Sequence, residues 1–227
     1  MKITYFGQSC FAIETKGSVI LTDPFISYNE LAKDIDVNAI SADFIIVSHG
    51  HQDHIADLES IAKRTVAKVI ASFEVHNWAN KLGISNTHPM NTGGKWEFEF
   101  GTLLCVNAIH SSCFPDGTYA GPAMGFVLWN EEGCLYFAGD TALTMDMKLI
   151  PMLCPSLTAA ILPLGDNFTM GIDQAVMASD FVACNKIIGC HYDTFGYIKI
   201  DKEAAVKTFE DKGKDLNLLP IGSSIVV

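Results

Sequence analysis

Basic residues are scarce in this sequence of 227 residues. Lysine and arginine together number 15, against 26 aspartates and glutamates, so the formal net charge is −11 at pH 7. Proteins that bind a nucleic-acid backbone use clustered lysine and arginine to neutralise its phosphates. The acidic balance therefore counts against a nucleic-acid partner, and we expect a small-molecule substrate or ligand instead.

Closely paired cysteines are also absent. The seven cysteines include no Cys-x-x-Cys pair, their number is odd, and most lie within apolar runs such as Leu104-Cys105-Val106. A small secreted domain held together by disulfides would be shorter and would have an even number of cysteines. We therefore expect reduced cysteines and a cytoplasmic location.

No apolar run approaches the ~20 residues that a membrane-spanning helix needs. One of the longest runs covers only residues 159–164, so we expect no membrane partner. Hydrophobic residues nevertheless make up 49% of the chain and charged residues 18%, which excludes a disordered protein. Because no linker, repeat or charge block divides the sequence, residues 1–227 are expected to form a single domain.

The order of the predicted elements indicates an α/β protein. Short strands open the chain at 2–6, 10–14 and 19–22, and an apolar run at 43–48 predicts a strand buried on both faces. Hairpins are predicted at 96–108 and 123–138. Helices are predicted at 55–63, 74–82, 145–152, 173–183 and 202–212. Strand-rich segments followed by β/α alternation occur twice, which predicts two sheets packed face to face with helices outside.

Histidine and aspartate are concentrated in one hexapeptide. The sequence His49-Gly50-His51-Gln52-Asp53-His54 lies where the apolar strand gives way to a predicted helix. A strand-to-helix turn points consecutive side chains in different directions, so this segment can offer ligands to two neighbouring ions. Imidazole and carboxylate groups are ligands that zinc and related divalent metals accept. The hexapeptide therefore predicts a metal site rather than a polar turn with solvated histidines.

Three further candidate ligands follow apolar strands elsewhere in the chain. They are His110, Asp140 and His191. Sites on α/β sheets form at the carboxyl ends of strands, so these three side chains are expected to complete the metal shells. His76 and His88 are expected to lie outside the site.

The succession of HxHxDH, a lone histidine, Gly-Asp-Thr and a strand-final histidine resembles the metallo-β-lactamase superfamily over essentially the whole chain. The strings Ala108-Ile109-His110-Ser111-Ser112 and 162–171 are similar to a compact branch of metal-dependent hydrolases related to the ascorbate-6-phosphate lactonases. This resemblance implies a four-layer αβ/βα sandwich of two mixed sheets.

The resemblance also implies how two divalent metal ions would be held. The ligands would be His49, His51 and His110 for the first ion, Asp53, His54 and His191 for the second, and Asp140 for both. Asp23 would orient a ligand histidine through a hydrogen bond. Zinc is the expected metal, and manganese, nickel and iron accept the same ligands.

The expected activity is hydrolysis of a small ester, lactone or phosphodiester. Two divalent ions ~3.5–4 Å apart lower the pKa of a bridging water toward ~7, and the resulting hydroxide would attack the substrate. Asp53 and Asp140 are the candidate catalytic carboxylates. Relatives that reduce oxygen at a di-iron centre carry an acid at the position of His51, so the sequence favours hydrolysis over redox chemistry.

Several loop residues are candidates to support this site. Thr141 and Ser112 are candidates to orient a ligand or line the pocket, Phe168 and Thr169 precede a predicted helix, and Tyr119 lies in a glycine- and proline-containing loop. Two other functions stay open. One is a nuclease, because several branches of the superfamily cut RNA, and the other is a metal-binding sensor without fast turnover.

Overall fold

The computed structural model describes residues 1–227 as fourteen strands, six α-helices and four short 3-10 helices. Strands β1 to β14 span Lys2–Gly7, Cys10–Thr15, Ser18–Thr22, Phe44–Ile46, Lys68–Ser72, Thr87–Met90, Lys95–Phe98, Gly101–Asn107, Met124–Asn130, Gly133–Phe137, Ala159–Pro163, Lys186–Cys190, Asp215–Asn217 and Ser224–Val226. Helices α1 to α6 span Gln52–Ile55, Leu58–Thr65, Phe73–Lys81, Ile150–Leu153, Ile172–Phe181 and Lys202–Glu210. None of the helices has the length and apolar composition that crossing a bilayer requires.

The strands form two seven-stranded sheets with the same internal plan. The first has the order β14-β1-β2-β3-β4-β5-β6 and the second the order β13-β12-β11-β10-β9-β8-β7. In the first sheet, the neighbouring strands β14, β1, β2 and β3 pair antiparallel, and the neighbouring strands β3, β4, β5 and β6 pair parallel. In the second, β7 to β10 pair antiparallel and β10 to β13 pair parallel. Both sheets are therefore mixed, as the sequence predicts.

The main core lies between the two sheets. Phe11 of β2, Phe126 of β9 and Ile188 of β12 are fully or almost fully buried there in one hydrophobic cluster. Because side chains alternate along a strand, Ala12 faces the opposite side of its sheet and joins a different cluster.

The outer face of each sheet is covered by helices. Ile45 of β4 packs in one cluster with Leu58 of α2, and Leu162 of β11 packs in another with Phe209 of α6. Helix, sheet, sheet and helix therefore stack in four layers. This confirms the predicted αβ/βα sandwich.

The sheets bring distant segments to a common edge. His110 follows the end of β8 by three residues, Asp140 follows β10 by three, and His191 follows β12 directly. These three strands run in the same direction within the second sheet, so their carboxyl ends lie at one edge. His49 follows the end of β4, in the other sheet, by three residues.

Two predicted elements differ from the structure because of local chain geometry. The strand expected at 43–48 ends at Ile46, since the following residues turn to carry the hexapeptide. The helix expected at 145–152 is a 3-10 helix, Met145–Leu149, followed by α4. Pro151 explains the break, because proline lacks a backbone donor and fits only the first turn of an α-helix.

Two edge strands have no clear sequence signal. β6 contains Pro89, which cannot donate to a ladder, and the structure places this strand at the edge of the first sheet, where proline is tolerated. β13 is only three residues long and forms the edge of the second sheet.

Candidate metal centre

The turn between β4 and α1 directs the histidines of the hexapeptide to two adjacent clusters. In the first cluster, Nε2 of His49 lies 2.9 Å from Nδ1 of His51. His110 reaches the same place from the loop after β8, so that all three residues offer a ligand nitrogen within 4.8 Å of the others. Two nitrogens bound to one tetrahedral zinc ion lie ~3.3 Å apart, so this spacing is close to that of a ligand set.

The second cluster contains Asp53, His54 and His191. Oδ2 of Asp53 lies 3.4 Å from Nε2 of His54 and 3.6 Å from Nε2 of His191. The three ligand atoms again fall within 4.8 Å of one another. The structure thus brings together the two sets of three residues that the superfamily resemblance implies.

Asp140 contacts both clusters. Its Oδ2 lies 3.5 Å from Nε2 of His110, in the first cluster. The same atom lies 3.3 Å from Nε2 of His54 and 2.9 Å from Nε2 of His191, in the second. The carboxylate is almost fully buried, so these histidines are its principal polar surroundings.

Four buried polar atoms in this region have no hydrogen-bond partner. They are Nε2 of His54, Oδ1 of Asp140, Nδ1 of His191 and Oε1 of Gln8. A buried polar atom without a partner costs about 1–3 kcal/mol, so such atoms usually have a further ligand. Nε2 of His54 lies 3.4 Å from Oδ2 of Asp53 and 3.3 Å from Oδ2 of Asp140. Imidazole and carboxylate groups are ligands that divalent cations such as zinc accept. The residues therefore fit divalent cations at both clusters.

The two clusters differ in their electrostatics. In the first cluster, burial lowers the pKa of His49, His51 and His110, which keeps these rings neutral and their ligand lone pairs free. In the second, burial also opposes the charged form of His54 and His191, but neighbouring carboxylates outweigh it. They hold the pKa of His54 well above its usual value and raise that of His191 to about 9.

The pKa values of the carboxyl groups of Asp53 and Asp140 shift in the opposite direction to those of His54 and His191. Burial opposes ionisation of Asp53 and Asp140. The positive charge of His54 and the close approach of the His54 and His191 rings outweigh burial and hold the pKa of both carboxyl groups well below the usual range. Both therefore carry negative charge, as ligands of a divalent cation do.

Asp23 supports one histidine from each cluster. It is fully buried and accepts hydrogen bonds from Nδ1 of His54 at 2.7 Å, and from the backbone nitrogen and hydroxyl of Ser48 at 2.7 and 2.6 Å. The Ser48 hydroxyl in turn lies 3.0 Å from Nδ1 of His49. Because the hydroxyl proton goes to Asp23, Nδ1 of His49 is assigned as the donor, which leaves Nε2 free to bind a metal.

Gln8 is a site residue that sequence reasoning missed. It lies in the turn between β1 and β2, where its Nε2 donates a hydrogen bond of 2.8 Å to Oδ2 of Asp53. Its backbone oxygen accepts a hydrogen bond of 2.9 Å from the backbone nitrogen of His191. Gln8 makes both contacts from a backbone conformation with a positive φ of 52°. A glutamine beside a turn glycine gives no sequence signal for either contact.

Thr141 and Ser112 contact the backbone beside the candidate ligands. The Thr141 hydroxyl accepts a hydrogen bond of 3.0 Å from Ile109, the residue before His110, and donates one of 2.7 Å to the Ala142 oxygen. The Ser112 hydroxyl accepts a hydrogen bond of 3.2 Å from Gly50, within the hexapeptide. Both side chains therefore hold the segments that carry ligands.

The clusters open into a cleft of about 460 Å³. Its wall consists of His51, Gln52, Asp53, His110, Ser111, Asp140, Phe168, His191 and Phe195. Gln52, Ser111 and Phe195 are additions to the residues expected from sequence.

The wall contains only one of the four expected pocket residues, Phe168. Ser112 lies instead beneath the hexapeptide. Thr169 is buried within the loop, because the backbone nitrogen of Asp166 bonds to the oxygen of Met170 and closes that loop on itself. Tyr119 is held in a local bridge with Cys113, and its side chain is 68% exposed.

The remaining histidines and the cysteines lie apart from the clusters. His76 is on α3, and His88 is on β6, where its ring packs against Trp96 and Phe98. All seven cysteines are free, and Cys190, next to His191, is buried between the sheets.

Comparison with known proteins gives the family. A family model described as a beta-lactamase superfamily domain matches residues 2–191. The chain is also 57% identical over 226 residues to a UPF0173 metal-dependent hydrolase of Christiangramia forsetii, with 99% of each chain covered. The chain belongs to this family of metal-dependent hydrolases. This confirms the superfamily resemblance seen in the sequence.

Further relatives agree with this assignment. A UPF0173 metal-dependent hydrolase of Methylacidiphilum infernorum is 46% identical, with 100% of each chain covered. Among solved structures, Igni18, described as a novel metallo hydrolase from the archaeon Ignicoccus hospitalis, has a TM-score of 0.88 and 29% identity, covering 99% of this chain and 97% of that one. The metallo-β-lactamase fold and metal-dependent hydrolysis are thus shared features of the family.

Proposed function

We propose that this metal-dependent hydrolase uses two divalent metal ions, with zinc the first candidate, to cleave a small ester, lactone or phosphodiester. The observation that carries the proposal is the position of Asp140. Its Oδ2 lies within 3.5 Å of Nε2 of His110 and of Nε2 of His191, which belong to different clusters. A buried carboxylate with an unpartnered second oxygen is well suited to join two cations.

The chain's own residues would prepare the cleft for hydrolysis. Cations held there would supply a hydroxide nucleophile near neutral pH and polarise the electrophilic carbonyl or phosphorus. Asp53 is the more accessible of the two carboxylates, since its side chain is 23% exposed against 3% for Asp140. Asp53 can therefore accept a hydrogen bond from the attacking group, while Asp23 keeps His54 in its ligand orientation.

The nature of the cleft supports a small-molecule substrate over a nucleic acid. The wall contains no lysine and no arginine, although nucleases need cations along the phosphate backbone. The free cysteines are consistent with action in the reducing environment of the cytoplasm. A sensor that binds metal without turnover is the alternative outcome of the experiment below.

The test is hydrolysis by metal-replete protein of a panel of lactones, carboxylic esters and phosphodiesters. We expect turnover of at least one class and a fall of about 10³-fold in kcat/KM for Asp140→Ala. Asp116→Ala, at an exposed loop position, is the matched control and should leave the rate unchanged. Turnover that Asp140→Ala leaves intact would contradict the mechanism, and metal-loaded protein inactive on every class would favour the sensor.

A further inference from the structure

The wall of the cleft has a polar floor and an apolar side. The floor consists of candidate metal ligands, together with Gln52 and Ser111. The apolar side consists of two aromatic rings, Phe168 and Phe195. Phe168 is 50% exposed and Phe195 38%, so both rings present surface that a bound molecule can cover.

The loop that carries Phe168 is anchored beside the metal centre. The backbone nitrogen of Asp166 bonds to the oxygen of Met170 at 3.0 Å, which closes the loop. The nitrogen of Met170 bonds at 3.1 Å to the oxygen of Thr141, the residue after Asp140. The Phe168 ring also meets the ring of Tyr197 edge-on, with centroids 6.2 Å apart. Phe168 is therefore presented to the cleft from a fixed position.

Phe195 is held in a similar way on the loop after His191. Its ring packs at 6.3 Å from the ring of Phe25, which is buried. Its backbone oxygen accepts a hydrogen bond of 3.1 Å from Ile198. Two aromatic rings on separate loops thus flank the same metal centre.

The wall offers no lysine or arginine side chain to a second negative group on a substrate. Lys202, which follows the Phe195 loop, is paired with Asp193 at 2.9 Å. A phosphate or carboxylate remote from the reacting bond would lose water without gaining a cationic partner, and it would approach a chain with a net charge of −11.

We infer that the substrate carries an uncharged apolar or aromatic group beside the bond that is cleaved, and that Phe168 and Phe195 hold this group. The inference rests on the proposed hydrolysis and narrows its substrate class. Covering exposed aromatic surface with an apolar group is favourable, and ring-on-ring contact adds specificity. The two rings are specificity-determining residues, because they lie beside the metal centre and contribute no ligand to it.

The first experiment compares kcat/KM for three lactones: γ-butyrolactone, γ-nonalactone and a phosphorylated sugar lactone. We expect γ-nonalactone to exceed γ-butyrolactone by about 10-fold or more through KM, and the phosphorylated lactone to be the poorest substrate. In Phe168→Ala and Phe195→Ala this gain should shrink toward one. Phe168→Leu should retain most of it. Trp96→Ala, an exposed aromatic on β7, is the control.

The second experiment measures binding without turnover. Isothermal titration calorimetry of the metal-loaded protein would compare acetate with phenylacetate, which share a carboxylate head and differ in the aromatic group. We expect phenylacetate to bind about 10-fold more tightly, and the ratio to fall toward one in the two Phe→Ala variants. Equal affinity for the two acids, or a ratio that both variants preserve, would overturn the inference.

The two experiments separate failure of the inference from failure of the proposed function. If the protein hydrolyses the simple lactone but shows no apolar preference, the inference is wrong and the hydrolase proposal stands. If no lactone, carboxylic ester or phosphodiester is turned over but phenylacetate keeps its advantage through Phe168 and Phe195, the proposed hydrolysis is wrong and the apolar recognition stands.

Discussion

The side-chain amide of Gln8 donates a hydrogen bond of 2.8 Å to Oδ2 of Asp53, 45 residues away in the sequence. The backbone oxygen of the same residue accepts a hydrogen bond from the backbone nitrogen of His191. One turn between β1 and β2 therefore holds two of the three residues in the second ligand cluster. Interactions of this kind orient ligands and adjust metal affinity.

Replacing Gln8 should weaken the binding of one of the two ions and leave the binding of the other unchanged. In Gln8→Ala the amide is lost while the backbone contact to His191 can persist, so we expect about 10–100-fold weaker binding of one of the two ions. Competition with a metal-binding dye would measure both affinities. Gln174→Ala is the matched control, because that amide receives a hydrogen bond from Gly171 away from the ligands. Unchanged affinity for both ions in Gln8→Ala would show that the contact does not position Asp53.

Asp23 should support both stability and metal binding. Asp23→Asn replaces one of the carboxylate oxygens that accept from His54 and Ser48 with an amide NH2 donor and removes the negative charge, and we expect a loss of about 3 kcal/mol in the free energy of unfolding together with weaker metal binding. Asp57→Asn is a close control, since buried Asp57 also accepts two backbone hydrogen bonds, from Ile26 and Ser27, without contacting a histidine. Chemical denaturation and metal titration would separate the two effects. If both variants bind metal like the wild type, the role of Asp23 is structural only.

Gly50 should be sensitive to any side chain. A Cβ at this position would overlap the Cβ of Ala120 and lie 3.3 Å from the Cys113 oxygen, although the backbone itself is not strained. We expect Gly50→Ala to destabilise the protein by about 1–3 kcal/mol and to displace His49 and His51. Adding Ala120→Gly should restore much of the loss in melting temperature and metal content. No rescue by the second change would refute this account of the contact.

Metal removal should lower thermal stability. Ions that bind only the folded protein add about 2.7 kcal/mol at a concentration of 100 times Kd, which for a chain of this size is a shift in Tm of about 5–10 °C. Differential scanning calorimetry with and without EDTA would measure it. The shift should shrink in His51→Ala and persist in His88→Ala, because His88 packs on Trp96 away from the clusters. Identical melting of the wild type in both conditions would argue against bound metal.

The sequence predicts the fold well because the signals of its buried elements are local or periodic, and it marks the candidate ligands by residue type. Buried strands are continuous apolar runs, and the hexapeptide from His49 to His54 combines residue types that few other roles require. The short edge strands escape prediction because β6 contains Pro89 and β13 has three residues, and their pairing depends on a neighbouring strand rather than on their own composition.

The supporting residues could not be predicted for a different reason. Gln8 reaches Asp53 and Phe195 reaches the cleft only after the chain has folded, so nothing near them in the sequence marks the contact. The sequence predicts that Tyr119 and Thr169 line the pocket, but they do not. Tyr119 forms a local bridge with Cys113 and is exposed, and Thr169 is buried within its loop. Pocket walls depend on loop geometry, which residue type alone does not determine.

Metal content per chain, measured by inductively coupled plasma mass spectrometry after metal-replete expression, decides whether the two clusters hold two ions joined by Asp140. We expect about two divalent ions in the wild type and in His88→Ala, about one in His51→Ala, and a loss from both clusters in Asp140→Ala. About one ion or fewer per chain in the wild type, or two ions retained in Asp140→Ala, would refute a binuclear site joined by Asp140.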